Sequence, residues 1–443
     1  MLRLLLVSAA VCLTAGQSLS QDVENSLNVP PGFSVNVFSN VTAGARSLAI
    51  SKNTTYPGTI LYVSTDTSAD PNHRSQNGTA TGAELAGRVY GVLDSNNTGT
   101  SEGTVILLSG LNNPNGIAWH NGSLYVAEIN KITRYDDADA FVIANKPFDL
   151  AAGKVIFDGL PNITHHGNRY IRISPSRRLF FDMGAPCNDC LLERAFGNIT
   201  FGSLNSMALD GTDIQPWAQG IRNTVGFDWN ANDTLYFTNN GIDQLGNDRP
   251  DDTLNVAPRP GLFFGFPYCH AVGAGPPQLR MPNVAQPLSD PTLSAVNSTN
   301  ATQNMAFCSQ EAQAPAQPLG PHVAALGMRF WNGNGFPPLY SGAAFISEHG
   351  SWARDVKIGY RVAAVMFSPN GTVTDHQVFA EGFLKKDGTV WGRPVDVAVS
   401  KQGLFISDDL AGAVYRVAYN AWFEAAASAA APQQISAYTG GPV

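Results

Sequence analysis

One pattern recurs six times along this chain of 443 residues and leaves few architectures open to it. An apolar strand-like run is followed by a turn and then by a second apolar run that ends in polar residues or glycine. The second runs are Ile60-Leu61-Tyr62-Val63, Ser123-Leu124-Tyr125-Val126, Leu179-Phe180-Phe181, Thr234-Leu235-Tyr236-Phe237, Ala344-Phe345-Ile346 and Leu404-Phe405-Ile406. Partners such as Gly116-Ile117-Ala118-Trp119, Tyr170-Ile171-Arg172-Ile173 and Val395-Asp396-Val397-Ala398 precede them, and outer strands recur as in Arg361 to Val365 before the turn Pro369-Asn370-Gly371. Short runs of β-formers bounded by turn residues are strands. Repetition at about 40 to 50 residues matches the four-stranded blades of a propeller. The predicted fold is therefore an all-β, six-bladed β-propeller. A pair of β-sandwiches is the rival, but six like modules favour radial repetition.

The spacing breaks once, between Tyr236 and Phe345. The stretch from about 250 to 321 is rich in Pro, Asn, Ala and Gln and holds Cys269 and Cys308, so it reads as a long stapled insertion over one face. At the far end Ala413-Val414-Tyr415-Arg416-Val417 is expected to share a blade with Phe33-Ser34-Val35-Asn36-Val37-Phe38, which would close the ring and hide its edges. Residues 21–420 then form the propeller, and 421–443 an Ala-rich tail.

Arg3, the apolar run Leu4 to Ala15 and the small polar residues after it have the form of a secretory signal peptide over residues 1–20. The run is too short to span a bilayer. N-x-Ser/Thr acceptors at Asn40, Asn53, Asn77, Asn96, Asn121, Asn162, Asn198, Asn232, Asn297, Asn300 and Asn370 suit a secreted, extracellular glycoprotein. With Cys12 in the leader, Cys187, Cys190, Cys269 and Cys308 remain, and an even count in an oxidising compartment points to two disulfides. Three pairings are open, of which Cys187–Cys190 with Cys269–Cys308 is the local one. A zinc site on Cys187-x-x-Cys190 is the competing reading, and the second pair lacks its spacing. A net charge of −8, with only 14% charged residues, excludes a basic nucleic-acid-binding surface.

Propellers carry function in loops at one end of the central channel, so the polar residues around the second strands matter most. Thr164-His165-His166-Gly167-Asn168-Arg169 offers a base or a metal ligand, or simply structural histidines. Gly220-Ile221-Arg222-Asn223 offers donors to an anion or a polarised carbonyl. The loop Asn239-Asn240-Gly241-Ile242-Asp243 onward to Asp252 is dense in oxygen donors of the kind calcium accepts. Ser347-Glu348-His349-Gly350-Ser351-Trp352-Ala353-Arg354 and Trp391-Gly392-Arg393 each set an arginine near a tryptophan, and Arg46 adds a further cation. Arginines, aromatics and calcium together suit a flat cofactor with several carboxylates.

The clusters His166-Gly167-Asn168-Arg169, Gly184-Ala185-Pro186-Cys187-Asn188-Asp189-Cys190, Arg222-Asn223-Thr224-Val225-Gly226, Gly265-Phe266-Pro267-Tyr268-Cys269, His349-Gly350-Ser351-Trp352 and Gly392-Arg393-Pro394-Val395-Asp396 occur in one order from Val29 to Val417. In these the chain resembles the sugar dehydrogenases of the sorbosone/pyranose dehydrogenase group, within the superfamily of soluble quinoprotein glucose dehydrogenases. The resemblance implies a sugar dehydrogenase using pyrroloquinoline quinone (PQQ) and calcium, with a separate electron acceptor such as a cytochrome or quinone. It implies His166 as general base with His165 at the cofactor, and Arg222 with Asn223 at the reacting carbonyl. It also implies calcium at the backbone of Gly241 and Ile242 beside Asp243, and a cofactor faced by Arg46, Arg354 and Arg393, with His349 and Trp352 close by. Three departures stand out. The family's Asp-Asn-Gly-Arg-Asp loop is here Asn239-Asn240-Gly241-Ile242-Asp243, Ala353 stands for an Asn, and Ala185 stands near an acid of the glucose dehydrogenases. A calcium-dependent lactonase and a non-catalytic glycan-binding propeller are the alternative readings.

Overall fold

A strand covered on both faces can be apolar at every position, and the second runs of the repeat are strands of this kind. All seven residues of Thr59–Thr65 are buried, as are all five of Leu179–Met183 and of Ala344–Glu348. Face-to-face packing of neighbouring sheets produces such burial. In a computed structural model that describes residues 19, 23, 26–65, 87–272, 286–289 and 301–420, those sheets are the six blades of a β-propeller. The leader run Leu4 to Ala15, the tail 421–443 and the acceptors Asn77, Asn297 and Asn300 lie outside the described residues.

Blade one is Ala45–Ile50, Thr59–Thr65, Gly87–Asp94 and Gly103–Leu111, and blade two is Gly116–His120, Ser123–Ala127, Ile132–Tyr135 and Lys154–Phe157. Blade three is Ile171–Ile173, Leu179–Met183, Ser203–Met207 and Gln215–Gln219, extended by the parallel strand Leu262–Phe263. Blade four is Phe227–Trp229, Leu235–Asn239, Asp251–Ala257 and Gln317–Pro321, and blade five is Ala325–Phe330, Ala344–Glu348, Arg361–Phe367 and Val373–Ala380. Blade six combines Pro394–Ser400, Gly403–Asp408 and Ala413–Tyr419 with the N-terminal strand Phe33–Ser39, paired antiparallel with Val35 opposite Val417. The expected closure of the ring is thus made by the two chain ends.

The insertion is narrower than its composition suggests. Asp251–Ala257 and Gln317–Pro321 are the outer strands of blade four, so the excursion is the chain between them. Pro318 and Pro321 hide the second of these from a pattern search, yet proline is tolerated on the outermost strand of a sheet. The excursion holds the strand pair Cys269–Val272 with Gln286–Ser289 and the helix Ala301–Glu311, and the Cys269–Cys308 disulfide ties pair to helix. Cys187 and Cys190 form the second bridge.

The first strands line the channel, and there the blades meet across the axis. Arg329 of blade five is buried and donates to both oxygens of Asp396 in blade six, at 3.2 and 3.1 Å. The same guanidinium reaches Leu48 O of blade one at 3.2 Å and the Tyr170 hydroxyl of blade three. Asp396 also accepts the Leu48 amide at 2.9 Å. Burial opposes the charge on Arg329, but Asp396, Tyr170 and Asp228 outweigh it and hold its pKa above the ordinary value. The approach requires Gly327, where a Cβ would lie 2.0 Å from Asp396 Oδ1.

Removing one partner of a buried pair strands the other charge, at a cost of about 3–5 kcal/mol. Arg329→Met should lower unfolding stability by that amount in a denaturant titration, and Arg329→Met with Asp396→Leu should recover part of the loss. A single variant within about 1 kcal/mol of the parent would show that the channel contact contributes little. Replacing Cys269 and Cys308 by serine should cost about 2–5 kcal/mol in the same titration, and peptide mapping of the parent should find all four of these cysteines oxidised.

Candidate functional site

First strands start, and second strands end, at one end of the channel, because each pair is antiparallel. Residues just before the first strands and just after the second strands therefore converge there from all six blades. The sequence-derived candidates occupy these positions in two groups.

The first group spans blades three and four. His166 precedes Ile171–Ile173 in a left-handed conformation with φ of 48°, packed against Gly184, where a Cβ would lie 2.5 Å from the His166 Cβ. Its Nδ1 is 2.8 Å from the Ala185 carbonyl oxygen. A carbonyl only accepts, so Nδ1 carries the hydrogen and the neutral ring keeps its lone pair on Nε2. The Ala185 backbone thus orients the ring at the position where the side chain has no acid to do so. Burial, then Arg222 and His165, hold the His166 pKa well below the usual imidazole value. His165 is exposed, with its ring centroid 4.2 Å from that of His166.

Arg222 is 3% exposed and held by three bonds. Nε donates to Asn188 O at 2.9 Å, and Nη2 donates to Asn188 Oδ1 at 2.7 Å and to Asp243 Oδ2 at 2.8 Å. Nη1 makes no hydrogen bond among the described residues. Asn188 lies between the bridged Cys187 and Cys190, so the small disulfide loop is what aims the guanidinium. The Arg222 carbonyl accepts from Ala185 N at 2.7 Å, which joins the histidine, the disulfide loop and the arginine into one unit. Asn223 Nδ2 donates to Asn240 Oδ1 at 3.2 Å, and Asn240 Nδ2 donates to Ala325 O at 2.7 Å.

For a cation, the carbonyls are the available ligands. The Asp243 carboxylate is committed to Arg222, and the Ile242 side chain packs with Ala185 and Phe266. Buried Asp252, with its pKa raised to about 7 by burial, accepts from Gly241 N at 2.8 Å and fixes the loop from below. The carbonyl oxygens of Gly241 and Ile242 accept no hydrogen bond among the described residues, which fits two ligands of a hard cation. Among the same residues no group of three or more His, Cys, Asp or Glu gathers as a metal cage.

The second group spans blades five, six and one and centres on Asp409. This buried carboxylate accepts from Arg46 Nη1 at 3.1 Å, Arg393 Nε at 2.9 Å and His349 Nε2 at 3.1 Å. Burial alone would raise its pKa, but these three partners hold it well below the usual carboxylate range. Asp408 sets the turn by accepting the amides of Arg393, Leu410 and Ala411, each at 2.9 Å. Arg46 also donates from Nε to Asn115 Oδ1 at 3.2 Å, and Asn115 reaches Arg169 O at 3.3 Å beside the histidine loop, which connects the two groups. Both forks of Arg393 beyond Nε are without a hydrogen-bond partner among the described residues.

Two candidates stand apart from these groups. Arg354 reaches Asp248 at 3.5 Å and Val356 O at 3.2 Å, while Trp352 is 71% exposed. Trp391, next to Arg393 in sequence, packs in the core with Phe383 and Tyr415. Asn188, Asn115 and Asp409 were not among the candidates. Asp409 follows the second strand of its blade as His349 does in blade five, and that positional equivalence is the signal that marks it. Beside Arg222 and Gly241 a cavity of ≈ 230 Å³ opens toward Phe264, Phe266 and the Cys269–Cys308 bridge, so the excursion walls this side of the site.

Comparison with known proteins agrees with this architecture. The PQQ domain of pyranose dehydrogenase from Coprinopsis cinerea superposes with a TM-score of 0.64 at 17% identity, covering 88% of this chain and 97% of that one. A calcium structure of the Trichoderma reesei enzyme of Carbohydrate-Active Enzymes Family AA12 gives 0.65 at 18% identity, covering 89% and 97%. The PQQ-bound aldose sugar dehydrogenase of Streptomyces coelicolor gives 0.54 at 18% identity, covering 88% and 100%. At such identities these likenesses establish the six-bladed fold. A Borreliella burgdorferi protein described as uncharacterized is 31% identical over 319 residues, 70% of this chain and 76% of that protein. Residues 201–420, from the outer half of blade three to the end of blade six, match the TrAA12-like family model.

Proposed function

We propose that the protein is a secreted sugar dehydrogenase that oxidises a sugar hydroxyl, an aldose, pyranose or ketoaldose being the substrate, with PQQ and calcium. The observation that carries this reading is the oriented His166, with its lone pair on Nε2, beside an arginine whose Nη1 is open. The match of residues 201–420 to the TrAA12-like family model, and the quinone- and calcium-bound structures of similar fold, support it. When bound, the quinone supplies a two-electron acceptor for hydride and calcium a Lewis acid. The chain's own residues do the rest.

His166 Nε2 takes the proton of the sugar hydroxyl as the C–H bond at the same carbon breaks. Its depressed pKa keeps it neutral and able to accept at neutral pH. His165, exposed beside it, would lie at the cofactor. Arg222 Nη1 donates to the oxygen on which negative charge gathers, and Asn223 holds the adjoining strand end in place. The open carbonyls of Gly241 and Ile242 would ligate calcium, with the Asp243 carboxylate fixing the loop through Arg222. Arg46 and Arg393 would face the cofactor carboxylates, with His349 on the same Asp409, while Arg354 and Trp352 stand apart from this set. A separate electron acceptor, such as a cytochrome or quinone, would be the redox partner. Of the acceptor asparagines, Asn40, Asn96, Asn121, Asn162, Asn198, Asn232 and Asn370 are exposed, as glycosylation requires. Among the described residues no helix is long and apolar enough to cross a membrane.

His166→Ala should lose about 10²- to 10⁴-fold in turnover while retaining quinone binding. The acid limb of kcat/KM should lie below pH 6.5, the ordinary histidine value, because the folded pKa is lowered and activity is lost only as pH falls through it. Deuterium on the oxidised carbon should slow reduction of the quinone. Lactone hydrolysis with calcium alone, and no quinone reduction by any sugar, would replace this reading with the lactonase. Separately, Arg393→Ala should weaken quinone affinity about tenfold or more, since a charge-assisted contact contributes about 1.5–3 kcal/mol. Unchanged affinity in a fluorescence titration would make Arg393 a structural residue.

A further inference from the structure

The opposite end of the channel holds a second constellation with no part in the chemistry above. A cavity of ≈ 130 Å³ lies among the first strands where they end, with Lys52, Arg172, Asp228 and Arg329 in its wall. The Arg329–Asp396–Tyr170 contacts cross the axis between this cavity and the candidate redox site.

The charges in the wall do not balance. Arg329 is matched by Asp396. Arg172 Nη2 binds Asp228 Oδ1 at 2.9 Å, and Asp228 Oδ2 accepts the Phe330 amide at 3.0 Å, so that carboxylate is fully engaged. Lys52 then has no carboxylate partner among the described residues. Arg172 Nε is sealed from solvent and has no hydrogen-bond acceptor. Partial burial, and then the charge of Arg172, lower the pKa of the Lys52 ammonium against the smaller opposing effect of Asp228. Burial, and then the charges of Arg177 and Lys52, lower the pKa of nearby His120 and keep it neutral. A surplus of one positive charge at the cavity wall, with an orphaned donor beside it, attracts a small anion.

We infer that this cavity is a binding site for one small carboxylate, held by the Lys52 ammonium and the Arg172 guanidinium. A water occupies about 30 Å³ in the liquid, so the space admits a molecule of several heavy atoms. The single surplus charge favours a monoanion over a doubly charged phosphate, which the engaged Asp228 would repel. Binding here needs no quinone, so its outcome is independent of the proposed redox activity.

Calorimetric titration of sodium acetate into the full-length protein at low ionic strength, against sodium chloride as reference, should reveal one saturable site. Inorganic phosphate should bind more weakly. Lys52→Met, at an exposed position that leaves the fold intact, should weaken acetate binding about tenfold or more with an unchanged melting temperature. Absence of saturable acetate binding, equal affinity in Lys52→Met, or tighter binding of phosphate than of acetate would each overturn the inference.

Discussion

The contact on which the ring depends is the Arg329 guanidinium lying across the channel. Six wedge-shaped sheets packed side by side leave a hole at their common axis, and apolar side chains from the first strands do not fill it alone. One planar group with five donors can bridge the gap, because it addresses a carboxylate, a hydroxyl and carbonyls in different blades at once. Arg329 ties blade five to blades six, three and one in this way. Replacing it by lysine would keep the charge and lose the geometry.

The candidate site sits on that rigid axis and is built by a similar principle, with polar atoms held by other polar atoms before any ligand arrives. Asn188 turns Arg222, Ala185 turns His166 and Asp252 holds the Gly241 amide. Asp409 deserves its place for another reason: Arg46 and Arg393 carry like charges, and a carboxylate between them lets both stay in the mouth. A ligand carboxylate therefore meets arginines already gathered, though it shares them with a resident acid.

Much of this was legible in the residues. The second strands announced themselves as unbroken apolar runs because both of their faces are covered, and the two chain ends could be matched by their strand patterns. Strand Gln317–Pro321 was not legible, since its two prolines argue against a strand anywhere except at the outer edge of a blade. Sequence motifs located His166, Arg222 and Arg393. They did not reveal Asp409 or Asn188, whose importance lies in contacts between segments far apart in the chain. A motif names the residue that acts more readily than the residue that aims it, and the carbonyl of Ala185 has no side-chain signature at all.

The closure of the ring by Phe33–Ser39 has a consequence for biogenesis. This strand leaves the ribosome well before its partner Ala413–Tyr419, which follows blades one to five. Throughout synthesis the opening strand presents an unpaired edge, and the sheet it belongs to does not yet exist. Blades one to five can form in order as they appear, while the first segment waits for the sixth. Such a pairing has the largest sequence separation among the described strand pairs, and long-range strand pairing is slow and exposed to misassociation. The chain is therefore one whose vulnerable period lasts until blade six is made and ends in a single late step.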